Sequence, residues 1–333
     1  MSKKERRHYD IVEFAPWMGD QVADLNVLQY GGTREEKRAE FARITEHPFA
    51  RDKGVAICAI DGETVVGVQT YRYWPYRRGA DQFYSLQSGG TLVHPEHRGQ
   101  GLFMRMLTAG NAILERRGVD FVMGFPVPMS FGGFIKDAWY HADSPTWFVT
   151  PVRPLKMVME RLRISPPKVS PPARKVELDL EDLSRVGSQR RTTLDSAPSF
   201  LDYRYGRGRA GGYDVREYRD GGRRAVILGK PRDSNGFAEY TIGDLLLSDG
   251  RAATGRWALR RLLKELRAEG QTSACSILVG SGAFEHLAIV TSLGFLPTPK
   301  RGLFIAKPIS MRAADWLASR FQWNLLHADI DTW

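Results

Sequence analysis

The chain has 333 residues, a formal net charge of +10, 42% hydrophobic residues, 16 Phe and two cysteines. Its length exceeds one ordinary domain of roughly 100–200 residues, so two domains with packed cores are expected, and no apolar run reaches the roughly 20 residues of a membrane span. Met1-Ser2-Lys3-Lys4-Glu5-Arg6-Arg7 has no apolar segment behind it and does not read as a signal peptide; Cys58 and Cys275 fall in strand-like runs as buried free thiols, which argues against a disulfide, a zinc centre or any other metal site and points to a reducing cytoplasm.

In chain order, His8–Phe14 reads as a strand, and Pro16–Gln29 and Thr33–Glu46 as helices, the second opened by Thr33 and Glu36 as a capping box. Val55–Ile60 and Val65–Tyr73 form a hairpin around Asp61-Gly62. A strand ends at Val93, a glycine-rich turn follows, and a helix begins at once with Phe103, Met106, Leu107, Gly110, Ile113 and Leu114 at helical spacing. Asp120–Phe125 is a strand, Ser130–Lys136 a short helix, and Thr146–Val149 the strand expected to close the first half. After a helix at Pro154–Leu162, Ser165–Lys175 holds four prolines among basic residues, a stiff linker. The second half repeats the plan: a helix near Leu183–Thr193; strands at Tyr213–Tyr218, Arg224–Lys230 and Ala238–Leu246; a helix at Thr254–Gly270; a strand at Ser273–Val279; a helix at Phe284–Leu293; and a last strand at Gly302–Lys307. Trp316, Leu317, Phe321, Trp323, Leu325 and Leu326 suit a terminal segment that covers a core, and Trp333 reads the same way.

The stretch Thr91-Leu92-Val93-His94-Pro95-Glu96-His97-Arg98-Gly99-Gln100-Gly101-Leu102-Phe103-Met104 carries the chemistry. A turn of this kind aims free backbone N–H groups and a helix N-terminus at one point, an anion site. Gly99 and Gly101 let a phosphate approach where a Cβ would block it, and Arg98 adds fixed charge. No Gly-Lys-Ser/Thr follows, so this is not a P-loop. Gly206-Arg207-Gly208-Arg209-Ala210-Gly211 matches G-x-G-x-x-G but precedes a strand instead of a helix, and reads as a turn.

The loop resembles the Arg/Gln-x-x-Gly-x-Gly/Ala signature of the GNAT N-acyltransferases, with Phe103 where a small residue is usual. The resemblance implies an α/β (α+β) fold of two GNAT-like units, each a twisted mixed sheet flanked by helices. Residues 1–150 would be the acyl-CoA-binding domain, 151–175 a basic proline-rich linker, 176–310 a degenerate unit shaping the acceptor site, and 311–333 a tail. The co-substrate would be acetyl-CoA or another acyl-CoA. The family's diphosphate loop corresponds to Arg98–Met104, and the strand Thr91, Leu92, Val93 would pair with the pantetheine arm and polarise the thioester carbonyl. Near Ser248-Asp249-Gly250-Arg251 the second half has no such loop.

The reaction implied is direct attack of an amine on the thioester. In the family a Tyr commonly protonates the departing thiolate; Phe134 stands there, which leaves Tyr140, Ser130 or water. Gln87 occupies the place where some members carry a Glu base and could only orient a water. Other base candidates are His94, Glu96, His97, His141 and Asp143, with Asp329 and Asp331 if the tail folds back. Phe200–Tyr205 and Asp329-Ile330-Asp331 resemble segments of tandem GNAT proteins of cell-surface polysaccharide synthesis, which suggests a nucleotide-linked amino sugar as acceptor. The arginine pairs are dispersed and argue against a nucleic-acid surface, while suiting an anionic small acceptor. An aminoacyl-tRNA-dependent transferase and a non-catalytic acyl-CoA-binding module remain the alternatives.

Overall fold

A computed structural model describes residues 8–164, 167, 182–187, 190–206, 213–234, 236–317 and 323–330. The elements in chain order are β1 (Asp10–Glu13), α1 (Gly19–Tyr30), α2 (Arg34–Thr45), β2 (Val55–Asp61), β3 (Thr64–Tyr73), β4 (Tyr76–Arg78), β5 (Asp81–Phe83), β6 (Ser85–Val93), α3 (Leu102–Arg116), β7 (Phe121–Gly124), α4 (Pro128–Lys136), β8 (Tyr140–Asp143), β9 (Thr146–Pro151) and α5 (Pro154–Arg161). They continue as β10 (Thr193–Leu194), α6 (Pro198–Tyr205), β11 (Asp214–Asp220), β12 (Arg223–Ser234), β13 (Phe237–Leu247), α7 (Ala252–Glu269), β14 (Ala274–Val279), α8 (Phe284–Thr291), β15 (Leu296–Arg301), β16 (Phe304–Pro308) and α9 (Met311–Leu317). None of the described helices is long and apolar enough to cross a membrane.

Two compact units emerge, and neither is a single stretch of chain. Unit 1 takes Met1–Pro75, Phe83–Ala142 and Phe304–Ala318; unit 2 takes Tyr76–Gln82, Asp143–Leu303 and Ser319–Trp333.

In unit 1 a seven-stranded sheet has the order β1-β2-β3-β6-β7-β16-β8. Side chains alternate between its faces, and β2 is apolar and buried on both sides from Val55 to Ile60. Ile57 and Ala59 join Met106, Leu107 and Leu114 of α3 and Phe134 of α4. Ala56, Cys58 and Ile60 join Val22 and Leu25 of α1 and Phe41 and Ile44 of α2. The expected capping box opens α2, with Thr33 and Glu36 each accepting the other's backbone N–H.

Unit 2 has a six-stranded sheet in the order β11-β12-β13-β14-β9-β15 and a three-stranded one, β10-β4-β5. Leu259, Leu262 and Leu266 of α7 and Ile289 of α8 pack on Ile227, Ile242 and Ile277. Leu201 of α6 covers Val215, Val226 and Leu246 on the opposite face.

The sheets repeat one plan. In each, a strand runs through a helix into a parallel neighbour (β6–α3–β7 and β13–α7–β14), and a second helix leads to an outer strand (β8 and β15). The slot between is filled by an antiparallel strand: β16 beside β7, and β9 beside β14. Each slot is therefore filled from the other stretch of the chain. That differs from the sequence reading, in which Thr146–Val149 closed the first half and Gly302–Lys307 the second, and boundaries at 150 and 310 do not follow the observed units. Alternating or continuous apolar character marks a strand as buried, but it carries no record of which sheet accepts it.

Among the described residues of Leu183–Thr193 there is no helix. Ser184 bridges to Leu247, Gly187 lies at φ 75°, and Thr193 and Leu194 pair with Arg77 and Tyr76 of β4. The linker Ser165–Lys175, apart from Pro167, and Arg207–Gly211 of the glycine motif lie outside the described residues.

Candidate functional site

The glycine loop joins the end of β6 to the start of α3. Gly99 and Gly101 have φ values of 78° and 73°, a left-handed conformation that favours glycine, and a Cβ built on either would meet nothing within 4 Å. The space in front of the loop is open. Arg105 N–H is the first in α3 to reach a main-chain acceptor, the Gly101 carbonyl at 3.1 Å. Among the described residues, the N–H groups of Gly99, Gln100, Gly101, Leu102, Phe103 and Met104 have no main-chain partner. These six N–H groups lie in and just before the first turn of a fifteen-residue helix, at its positive end.

The side chains around the loop brace it. Arg98 folds back, donating from Nε to the Val93 carbonyl at 3.1 Å and from its terminal nitrogen to Gln29 Oε1 at 3.0 Å. Leu102 is core, and Met104 packs beside it. Phe103 lies edge-on to Phe134, with centroids 5.2 Å apart, and covers Gly133 so closely that a Cβ there would fall 2.4 Å from the ring. The large residue at 103 is thus accommodated by a glycine on α4.

Beside the loop the sheet splits. β6 pairs with β7 from Ser85↔Phe121 to Gln87↔Met123, and β7 ends at Gly124, while β6 runs on to Val93. Against β3 it makes a bulge in which Gln69 faces both Gly90 (φ 59°) and Thr91. The Gln69 amide fastens it, donating to Ser88 Oγ at 2.9 Å and accepting from the Thr91 hydroxyl. Leu92 points into the α1–α2 core and Val93 toward α3, so this strand offers its edge and not its side chains to the notch. On the α1–α2 face a shallow cleft of about 40 Å³, open to solvent, is lined by Lys37, Glu40, Phe41, Val68, Thr70, Arg72 and Gly90.

The catalytic candidates scatter. Gln87 is buried in β6 beside Arg72 and Met123, as an amide at the base of the notch. Tyr140 lies on β8, three strands from β6 or about 14 Å. Its hydroxyl donates to the Leu317 carbonyl at 2.8 Å, and burial raises its pKa. That position does not suit a proton donor at the notch. Ser130, in the first turn of α4, donates to the Val127 carbonyl at 3.1 Å and is exposed. Asp143 is buried and accepts from Ser281 N–H at 2.8 Å. His141 packs edge-on to Phe131, centroids 6.1 Å apart. His94, Glu96 and His97 bring ligand atoms within 4.8 Å of one another, a grouping that a count of cysteines does not register; the His97 ring sits 3.1 Å from the Tyr9 hydroxyl.

Asp329 belongs to unit 2 and is wholly buried. It accepts from Tyr76 Oη, from Arg185 at 2.8 Å and from Leu326 N–H at 2.7 Å. Desolvation raises its pKa, opposed by Arg185. A carboxylate enclosed in this way has no solvent-facing oxygen to offer an incoming amine, an arrangement unlike the open base that was expected. Asp331 lies outside the described residues.

An open glycine loop beside a split parallel strand pair is the arrangement that the comparisons with known proteins share. The family description "Acetyltransferase (GNAT) domain" matches residues 19–133, which run from α1 through the loop into α4, so that stretch of the chain is similar to the GNAT acetyltransferase domain. The fold is shared with a GCN5-related N-acetyltransferase from Anabaena variabilis (TM-score 0.61, 10% identity, covering 92% of this chain and 74% of that one). A conserved protein of unknown function from Enterococcus faecalis, described as a probable N-acyltransferase, matches similarly (0.60, 11%, 92% and 74%). So does a GCN5-related N-acetyltransferase from Kribbella flavida (0.55, 12%, 92% and 73%). No curated protein matches in sequence.

Proposed function

We propose that the chain transfers an acyl group from acyl-CoA, with acetyl-CoA as the simplest donor, to the primary amine of a small acceptor. The observation that supports this reading is the run of N–H groups from Gly99 to Met104 without a main-chain partner at the start of α3, beside two left-handed glycines whose Cβ positions are open. They suit the diphosphate, and the unpaired edge of β6 from Ser88 to Val93 suits the pantetheine arm and the thioester carbonyl. The acceptor enters from the α1–α2 face, whose cleft is lined by Arg72 and by Lys37 ion-paired to Glu40, and a nucleotide-linked amino sugar is the acceptor class offered here. The amine attacks directly in a ternary complex, where proximity supplies much of the rate. With Phe134 in the aromatic position and Tyr140 turned to Leu317, the thiolate takes its proton from water or Ser130.

A thiol-release assay with acetyl-CoA and a panel of primary amines tests this. Amine-dependent release of free CoA, with the acetylated amine seen by mass spectrometry, is the expected result. Binding of acetyl-CoA with no release for any amine would favour a second reading supported by Phe134, an acyl-CoA-binding module. Absence of both binding and release would overturn the proposal.

A further inference from the structure

Both sheets split at the same point, and the two splits differ in what fills them. In unit 2, β13 and β14 pair from Glu239↔Ala274 to Ile242↔Ile277 and then part. β14 continues to Val279, whose one flank is taken by Thr146 of β9. The other flank faces the split, and there Leu326 bridges to Val279, while Gly280 N–H donates to the Leu325 carbonyl at 2.9 Å. Across the split, Asp244 of β13 accepts two N–H groups of Arg185 at 2.8 and 2.9 Å. Arg185 in turn donates to Asp329 at 2.8 Å and to the Asn324 carbonyl at 3.1 Å. The segment from Trp323 to Ile330 therefore spans the gap from one strand to the other, with Trp323, Leu326 and Asp329 each 0% exposed.

The anion position of unit 2 is also filled from within. At the start of α7, where unit 1 has its open loop, the Asp249 carboxylate accepts from Arg251 N–H at 3.0 Å and from the Thr254 hydroxyl at 2.7 Å. An anion thus already sits at that helix N-terminus, covalently attached.

We propose that the segment Trp323–Ile330 is a built-in plug of unit 2's strand split, standing where a cofactor arm would lie, with Asp249 standing for its diphosphate. The chain binds one acyl-CoA as a result, and unit 2 is closed to it. The stoichiometry rests on the function proposed for unit 1; the plug does not. The segment holds because Arg185, which could not be buried alone, is flanked by two carboxylates and a carbonyl. Its apolar members, Leu326 above all, join the unit 2 core.

Amide hydrogen exchange on the full chain, with and without saturating acetyl-CoA, tests the plug. Amides of Gly280, Leu326 and Asp329 are expected to exchange at least a thousandfold more slowly than an unstructured peptide, unchanged by acetyl-CoA. Fast exchange there, or deprotection on adding acetyl-CoA, would overturn the plug. Native mass spectrometry should show one CoA per wild-type chain and none for Gly101→Val. Two per chain, or one retained by the variant together with altered exchange at 274–280, would place a cofactor in unit 2 and refute the proposal. If no CoA binds at all, the function proposed for unit 1 falls, and the exchange rates of the tail still decide the plug.

Discussion

A fragment of residues 1–150 should not fold cooperatively, although it contains the whole glycine loop. It lacks β16, which pairs with β7 through Ile305↔Gly124, Ala306↔Met123, Lys307↔Val122 and Pro308↔Phe121. Phe304 and Ile305 are fully buried, and each such side chain contributes about 1.5–3 kcal/mol. Lys307 also ties to Asp137, donating to its carboxylate at 3.0 Å and its carbonyl at 2.7 Å. With ladder hydrogen bonds worth about 1 kcal/mol each net, the loss is about 6–9 kcal/mol. Whole domains have only about 5–15 kcal/mol to lose. Circular dichroism during heating would show a broad, non-cooperative change for 1–150. A fusion carrying residues 302–317 through a flexible linker should restore a sharp transition. A sharp melt of 1–150 alone, within a few degrees of the full chain, would refute the role given to β16.

Other expectations concern buried groups. Burial pushes the Cys58 thiol up to about 12 and Cys275 higher still, so neither is a nucleophile at neutral pH. The pair Cys58→Ala and Cys275→Ala should keep kcat within about threefold and give intersecting two-substrate kinetics; parallel lines with an acylated peptide would mean a covalent intermediate. Asp329→Asn, which removes the charge facing Arg185, should cost about 1–3 kcal/mol of stability in a denaturant titration and leave kcat per folded molecule within about twofold. A hundredfold loss of kcat with unchanged melting would return Asp329 to catalysis. His286 is buried, with its pKa lowered by desolvation from 6.5 to about 3. The unfolded imidazole binds a proton below 6.5 while the folded one does not until about 3, so stability should fall through that window by up to about 1.4 kcal/mol per pH unit. A His286→Leu chain with the same acid slope would show that other groups set it.

The sequence made the strand, glycine turn and helix legible because that geometry is local. A strand, two glycines and an amphipathic helix specify an anion site within fourteen residues, and Thr33 and Glu36 fix a helix start in the same way. What escaped is long-range. Thr146–Pro151 and Phe304–Pro308 have the apolar character of strands, but their partners lie in sheets whose other members are distant in the chain. Asp329 looked free because its partners Tyr76 and Arg185 lie 253 and 144 residues away. Leu183–Thr193 was misread because its apolar spacing serves a bridge and a short strand broken at Gly187. Tyr140 drew notice by type, and strand order then placed it at the far edge of its sheet.

Calorimetric titration of acetyl-CoA into the full chain and into Gly101→Val tests the account most directly. Gly101 sits at φ 73° with open space before it, so valine there adds about 1–2 kcal/mol of backbone strain, which a folded domain tolerates. The same side chain stands where the diphosphate must approach the amides. The account predicts saturable binding to the wild-type chain and a loss of at least about 100-fold, some 2.7 kcal/mol, in a variant that still melts cooperatively. Equal affinity in the two proteins would contradict it.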